Sequence, residues 1–140
     1  MTKDQYPKVY LYRRIVQAKL FIDNNYFEKI DLNNIADNAF FSKFHFLRLF
    51  KKIYNKTPHQ YLITVRIQNA KLLLKSGRSI IDVCYSIGFV SVSSFSDLFK
   101  RHAGMTPHSY QLQQRKRTAE IIRSPIKFVP GCFARSNSRI

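Results

Sequence analysis

The side chains with chemistry to offer in this chain are mostly cations, and they recur in one pattern. Lys51-Lys52 follows Leu49-Phe50, and Lys100-Arg101 follows Leu98-Phe99; each group leads into a Thr-Pro-His, at Thr57-Pro58-His59 and Thr106-Pro107-His108. Lysine and arginine bring positive charge and donors, so this chemistry grips anionic oxygens. Over 140 residues, 24 Lys and Arg stand against 8 Asp and Glu, a net charge of +16 with a pI near 10.2. Solubility is commonly met with a few net charges. An excess of this size calls for a polyanionic partner, and nucleic acid ranks first. Nothing points to catalysis or to a cofactor. The carboxylates are scattered, and no serine, cysteine or carboxylate constellation forms. His45 and His102 lack partners at metal-ligand spacing, and Cys84 and Cys132 make no CxxC pair. No apolar run is long enough for a membrane span, and Met1-Thr2-Lys3-Asp4 begins no signal peptide. A reduced, cytoplasmic setting on the nucleoid is expected.

Those cations must be positioned by helices. From Ser79 to Tyr110 the chain reads as a short helix, a turn at Gly88, a second helix and a Thr-Pro restart. Ser79 caps the first helix, with Asp82 three positions on in a capping-box arrangement. Ile80, Val83, Cys84 and Ile87 form its apolar stripe. Phe95, Leu98 and Phe99 mark the buried side of the next helix, leaving Val92, Ser93, Ser96, Asp97 and Lys100 outward. Two helices across a Gly-containing turn make a helix-turn-helix, whose second helix can enter a major groove. The same unit occurs earlier. Phe46, Leu49, Phe50, Lys51, Lys52 and Tyr61 fall on Phe95, Leu98, Phe99, Lys100, Arg101 and Tyr110 at an offset of 49, which becomes 48 before the turn. A period of that size means one supersecondary unit used twice.

In chain order, residues 1–9 read as a polar lead-in, and Tyr10 to Asn24 as a helix with the stripe Leu11, Ile15, Ala18 and Ile22. Asp31 caps a short helix through Ala39, and Ala39-Phe40-Phe41 is the turn. Ser42 caps a helix that buries Phe46, Leu49, Phe50 and Ile53 and turns Lys43, Phe44, Leu47, Arg48 and Lys51 outward. Thr57 caps the next helix with Pro58 at its first position. That helix runs to near Lys75, about 18 residues or about 27 Å. Tyr61, Leu62, Val65, Ala70 and Leu73 can pack against both repeats, so a stiff rod sets the separation of the two units. The expected architecture is all-α, with about seven helices: a first helix-turn-helix subdomain at 10–57, a linker helix at 58–76 and a second subdomain at 77–114. A basic tail, 115–140, is expected to be extended or disordered. It touches DNA through Arg115, Lys116 and Arg117, or docks on a partner through Ile126, Phe128, Val129 and Phe133.

At these residues the chain resembles the DNA-binding domain of AraC/XylS transcription regulators, over roughly Tyr10 to Gln113. The matches are Ile35-Ala36, Ser42, Arg48-Leu49-Phe50-Lys51, Thr57-Pro58 and Tyr61-Leu62 in the first unit, then Arg66, Ala70 and Leu73 in the linker. In the second unit they are Val83, Cys84 (commonly Ala in that family), Ile87-Gly88-Phe89, Phe95, Phe99-Lys100, Gly104, Thr106-Pro107 and Tyr110. The resemblance implies sequence-specific binding of double-stranded DNA at promoters and RNA polymerase as a partner. It also points to the short stand-alone members, with no small-molecule effector domain in this chain.

It further implies that the outward positions of each recognition helix read bases. In the first unit these are Lys43, Phe44, Leu47 and Arg48. A bidentate contact from Arg48 to guanine would supply about 1–3 kcal/mol of discrimination. Phe44 either meets thymine methyls or, like Leu47, packs on a neighbouring helix. In the second unit the positions hold Val92, Ser93, Ser96 and Asp97, small or acidic where the family often has Gln or Arg. Asp97 either accepts from a cytosine amino group or is held by Lys100 or Arg101. The first unit is therefore expected to carry most base discrimination and the second to anchor. Phosphate contacts are expected at the helix starts, Ser42 and Ser91, and from Lys51, Lys52, Lys56, Lys100 and Arg101. The rival is a sequence-blind basic protein that coats nucleic acid.

Overall fold

The computed structural model describes residues 5–33 and 43–125, with side chains from Val9 onward. Six helices lie wholly within these residues, which contain no strand: α1 (Gln5–Asn25), α2 (Lys43–Tyr54), α3 (Pro58–Lys75), α4 (Ile80–Ser86), α5 (Val92–Ala103) and α6 (Pro107–Arg123). The all-α expectation holds. Of the helix expected to open at Asp31, Leu32 and Asn33 are helical, and Asp31 Oδ1 accepts from the Asn33 N–H at 2.9 Å. Its remainder, with Ile35, Ala36, the turn at Ala39-Phe40-Phe41 and Ser42, lies outside the described residues, as does the chain beyond Pro125.

Both ends correct the sequence expectation. Helix α1 begins at Gln5, inside the segment read as a lead-in. Pro7 falls in its first turn, where the missing N–H removes no helical hydrogen bond. At the other end α6 continues to Arg123, well past Arg115. Its residues from Arg115 to Arg123 are exposed, so the lack of an apolar period was a true sign of exposure. It was not a sign of irregular chain: Arg, Lys, Ala, Glu and Ile extend a helix whose first turns are anchored, and Pro125 stops it.

Helix α3 is the spine. Thr57 accepts from the Gln60 N–H at 3.2 Å, and the Gln60 side chain accepts from the Thr57 N–H at 3.0 Å, a complete capping box with Pro58 behind it. Two apolar cores form along this spine. The first gathers Ile15, Ala18 and Ile22 of α1, Phe46 and Phe50 of α2, and Leu62 and Val65 of α3. The second gathers Ile67, Ala70 and Leu74 of α3, Val83, Cys84 and Ile87, and Phe95 and Phe99 of α5. Val65 and Ile67 thus serve different cores, with Arg66 between them. Ile67 and Leu74 join the expected set, while Tyr61 and Leu73 are only partly buried.

The repeat survives in three dimensions. Phe50 meets Tyr61 edge-on at 5.9 Å and 71°, and Phe99 meets Tyr110 edge-on at 5.5 Å and 68°. The caps Thr57 and Thr106 share one conformation, φ −67°, ψ 160° against φ −66°, ψ 157°. The left-handed residue closing each recognition helix recurs too. It is Asn55 at φ 60° after α2 and Gly104 at φ 78° after α5, and their N–H groups donate to Lys51 O and Lys100 O.

Candidate nucleic-acid interface

Each recognition helix is held by its buried phenylalanines, and that choice fixes what it shows outward. Phe46 and Phe50 are fully buried in α2, which leaves Lys43, Phe44 and Arg48 exposed around its first turns. Phe44 is 75% exposed, too much for a packing residue. Arg48 lies over the same turn, its Nε donating to Phe44 O at 3.4 Å, a weak bond that leaves the guanidinium fork outward. Leu47, read as outward with packing as its alternative, is partly buried against the first core.

Helix α5 repeats the frame with different contents. Ser91 caps it, accepting from the Ser94 N–H at 3.1 Å and sharing a hydroxyl bond with Ser94 at 3.1 Å. Ser93 and Asp97 are exposed, and Ser96 is half-buried. Val92 corrects the expectation of an outward side chain: it packs against the second core. Leu47 and Val92 both stand at the edge of an apolar stripe, where one helical position decides between neighbour and solvent. Among the described residues no ion pair joins Asp97 to Lys100 or Arg101; the bridge found is Lys19 to Asp23 at 2.8 Å on α1. The Asp97 carboxylate thus stands outward rather than being held by a cation of its own helix.

The expected phosphate cations fall into two groups. Lys51, Lys52, Lys100 and Arg101 are exposed in the last turns of α2 and α5. There they also oppose the negative end of the helix dipole, worth about 0.3–1 kcal/mol each. Lys56 is different: it is half-buried, and its Nζ donates to Thr64 Oγ1 at 3.2 Å. Among the described residues no three His, Cys, Asp or Glu side chains gather to hold a metal, and no helix is long and apolar enough to cross a membrane.

Burial is the first cause of the shifts at Tyr61, Cys84 and Arg66. Burial first, then the hydrogen bond it donates to Asp23 Oδ1 at 2.6 Å, push the Tyr61 phenol up from 10.0 to about 12. Burial raises the Cys84 thiol, in keeping with a small apolar residue rather than a nucleophile. Burial lowers Arg66 from its ordinary value, although an arginine stays charged at neutral pH. Arg66 is the residue whose job the sequence concealed. Its Nε donates to Tyr26 O at 2.7 Å and its Nη2 to Glu28 O at 3.0 Å, some 40 residues up the chain.

With this geometry in hand, the likenesses to known proteins are specific. A helix-turn-helix domain family matches residues 35–113. The HTH-type transcriptional regulator YdeC of Bacillus subtilis is 40% identical over 83 residues, covering 59% of this chain and 28% of YdeC. Among solved structures, the DNA-binding domain of AdpA, a global transcriptional factor captured with a target DNA, aligns with a TM-score of 0.69 at 28% identity, covering 74% of this chain and 94% of that one. A transcriptional regulator from Chromobacterium violaceum, described as containing an AraC-type DNA-binding domain, aligns at 0.65 and 26% identity over 74% of this chain and 93% of its own. The chain spans 25%, 28% and 49% of three of the curated relatives it matches.

Proposed function

Because the chain belongs to the AraC-type helix-turn-helix family, we propose that it binds double-stranded DNA sequence-specifically and regulates transcription, reading two adjacent major-groove segments with α2 and α5. The observation that carries this is a recognition-helix frame used twice on one helical spine, each copy turning the face beside its buried phenylalanines outward, in a chain of net charge +16. Arg48, Lys43 and Phe44 read the first segment, Arg48 by a bidentate contact to guanine and Phe44 against thymine methyls. Ser93, Ser96 and Asp97 contribute less discrimination, so the second unit mainly anchors. Lys51, Lys52, Lys100 and Arg101, with the starts of the two recognition helices, take the phosphates. The protein acts in the cytoplasm on the nucleoid, without a reaction of its own, and RNA polymerase is its protein partner.

The test is selection of bound sequences from a random duplex library at near-physiological salt. Recovery of a motif with two segments about one helical turn apart supports the reading. Recovery of no motif, with binding that survives only at low salt, replaces it with sequence-blind coating of nucleic acid.

A further inference from the structure

The two units touch at a second place besides the spine, and Arg66 builds that contact. It leaves α3 at the point where the helix passes from one core to the other. Its guanidinium takes Tyr26 O at 2.7 Å and Glu28 O at 3.0 Å, in the segment that follows α1. Its Cζ lies 5.6 Å from the centroid of the Phe89 ring, in the turn of the second unit. Phe89 in turn packs on Phe95 at 5.5 Å, and Phe95 is the buried anchor of α5. Tyr26 packs against both cores.

Gly88 completes the junction. At φ +94° it holds a conformation that L side chains rarely adopt, and a Cβ there would lie 2.9 Å from Tyr26 O, 3.0 Å from Phe27 O and 3.0 Å from Arg66 Nη2. The turn of the second unit is thus seated directly on backbone carbonyls of the first. An unbraced helix of this length can bend at its middle, and every degree of bend would swing α5 relative to α2. The brace sits beside that middle and off the helix axis, where it resists bending most.

We propose that Arg66 is a positioning residue that fixes the spacing at which the two recognition helices engage DNA, by clamping the 26–28 segment to the Gly88-Phe89 turn. This rests on the two-segment reading above. Each added base pair moves the second segment by about 3.4 Å along the duplex and about 34° around it. A rigid pair of readers gains from linkage only when the site matches its fixed geometry, whereas a loosened pair gains less but over more geometries.

The experiment uses the selected two-segment duplex and derivatives with one base pair removed or one or two inserted between the segments. Affinity is measured for the full chain, Arg66→Ala, Arg66→Lys and Gly88→Ala, with helicity checked by circular dichroism. The unaltered chain is expected to lose about tenfold or more on a one-base-pair change of spacing. Arg66→Ala binds the native spacing more weakly, its loss on changing the spacing shrinks to about threefold or less, and the bases preferred within each segment are unchanged. Arg66→Lys, which brings charge but no fork, falls between. Gly88→Ala, by prising the turn from the carbonyls, loses the spacing preference as Arg66→Ala does.

If Arg66→Ala weakens binding equally at every spacing and keeps the original preference, Arg66 only supports the fold and the proposal is overturned. Should Arg66→Ala unfold, Arg66→Lys decides: an unchanged spacing profile overturns the proposal and a broadened one supports it. An unaltered chain that binds one segment alone as tightly as two would remove the two-segment reading itself, and the clamp's role with it, before any variant is compared.

Discussion

The two helix-turn-helix units share a frame and differ in what the frame presents. Phe50 against Tyr61 and Phe99 against Tyr110 have nearly the same geometry, and so do the Thr-Pro caps that follow. Outside that frame the correspondence ends: Lys43, Phe44 and Arg48 of α2 fall on Val92, Ser93 and Asp97 of α5. Packing constrains the first set of positions to a methyl group or so, whereas the second set answers only to solvent and to whatever binds. The duplicated part is therefore the support, and the divergent part is where binding chemistry was free to change. One recognition helix offers cations, a fork and an aromatic ring; the other offers hydroxyls and a carboxylate.

The largest expected effect tests the shared half of this comparison. Phe50→Ala and Phe99→Ala each remove a fully buried ring, at a cost of about 3–5 kcal/mol. Denaturant unfolding should show closely similar losses; a large difference would mean that the two cores are not equivalent supports. The divergent half is tested by Arg48→Ala against Asp97→Ala. Arg48→Ala should blur one segment of the bound sequence and cost about 1–3 kcal/mol of discrimination there. Asp97→Ala should change the preferred sequence less, and a larger effect from Asp97 would reverse the assignment of the main reader.

A smaller difference lies inside the frame. Tyr61 donates to Asp23, and Tyr110 repeats its ring packing without a carboxylate partner among the described residues. Tyr61→Phe should therefore cost about 0.5–1.5 kcal/mol, and Tyr110→Phe much less. The pH dependence has a definite sign. The folded-state pKa of Tyr61 is raised from 10.0 to about 12, so its contribution is whole below pH 10 and is lost as pH rises through about 12. Unfolding curves across that window should fall for the native chain and flatten for Tyr61→Phe. The smallest effects belong to the phosphate cations. Lys51→Gln and Lys100→Gln should each weaken binding to all sequences alike and reduce the salt slope by about 0.9.

Much of this frame was legible in the sequence, because its signals are local. A threonine before a proline caps a helix wherever it stands, and phenylalanines spaced by four residues mark a buried stripe. What escaped was decided at a distance. Nothing near Arg66 announces that it will donate to Tyr26 and Glu28, since a cation in mid-helix reads as a solvated one until its neighbours are known. Leu47 and Val92 sit at the margins of their stripes, where the approach of another helix settles exposure. The continuation of α6 past Arg115 was hidden for the opposite reason. Period detects burial, and this segment is helical while exposed. On the candidate interface the positions of Phe44, Arg48, Ser93 and Asp97 were legible as outward, while the tethering of Lys56 by Thr64 was not.

Hydroxyl-radical footprinting of the selected duplex tests most directly that both units read DNA at once. Two protected windows on one face of the duplex, about ten base pairs apart, are the predicted result. A single window, or uniform protection along the duplex, would contradict the account: the first would leave one unit idle, and the second would leave the chain blind to sequence.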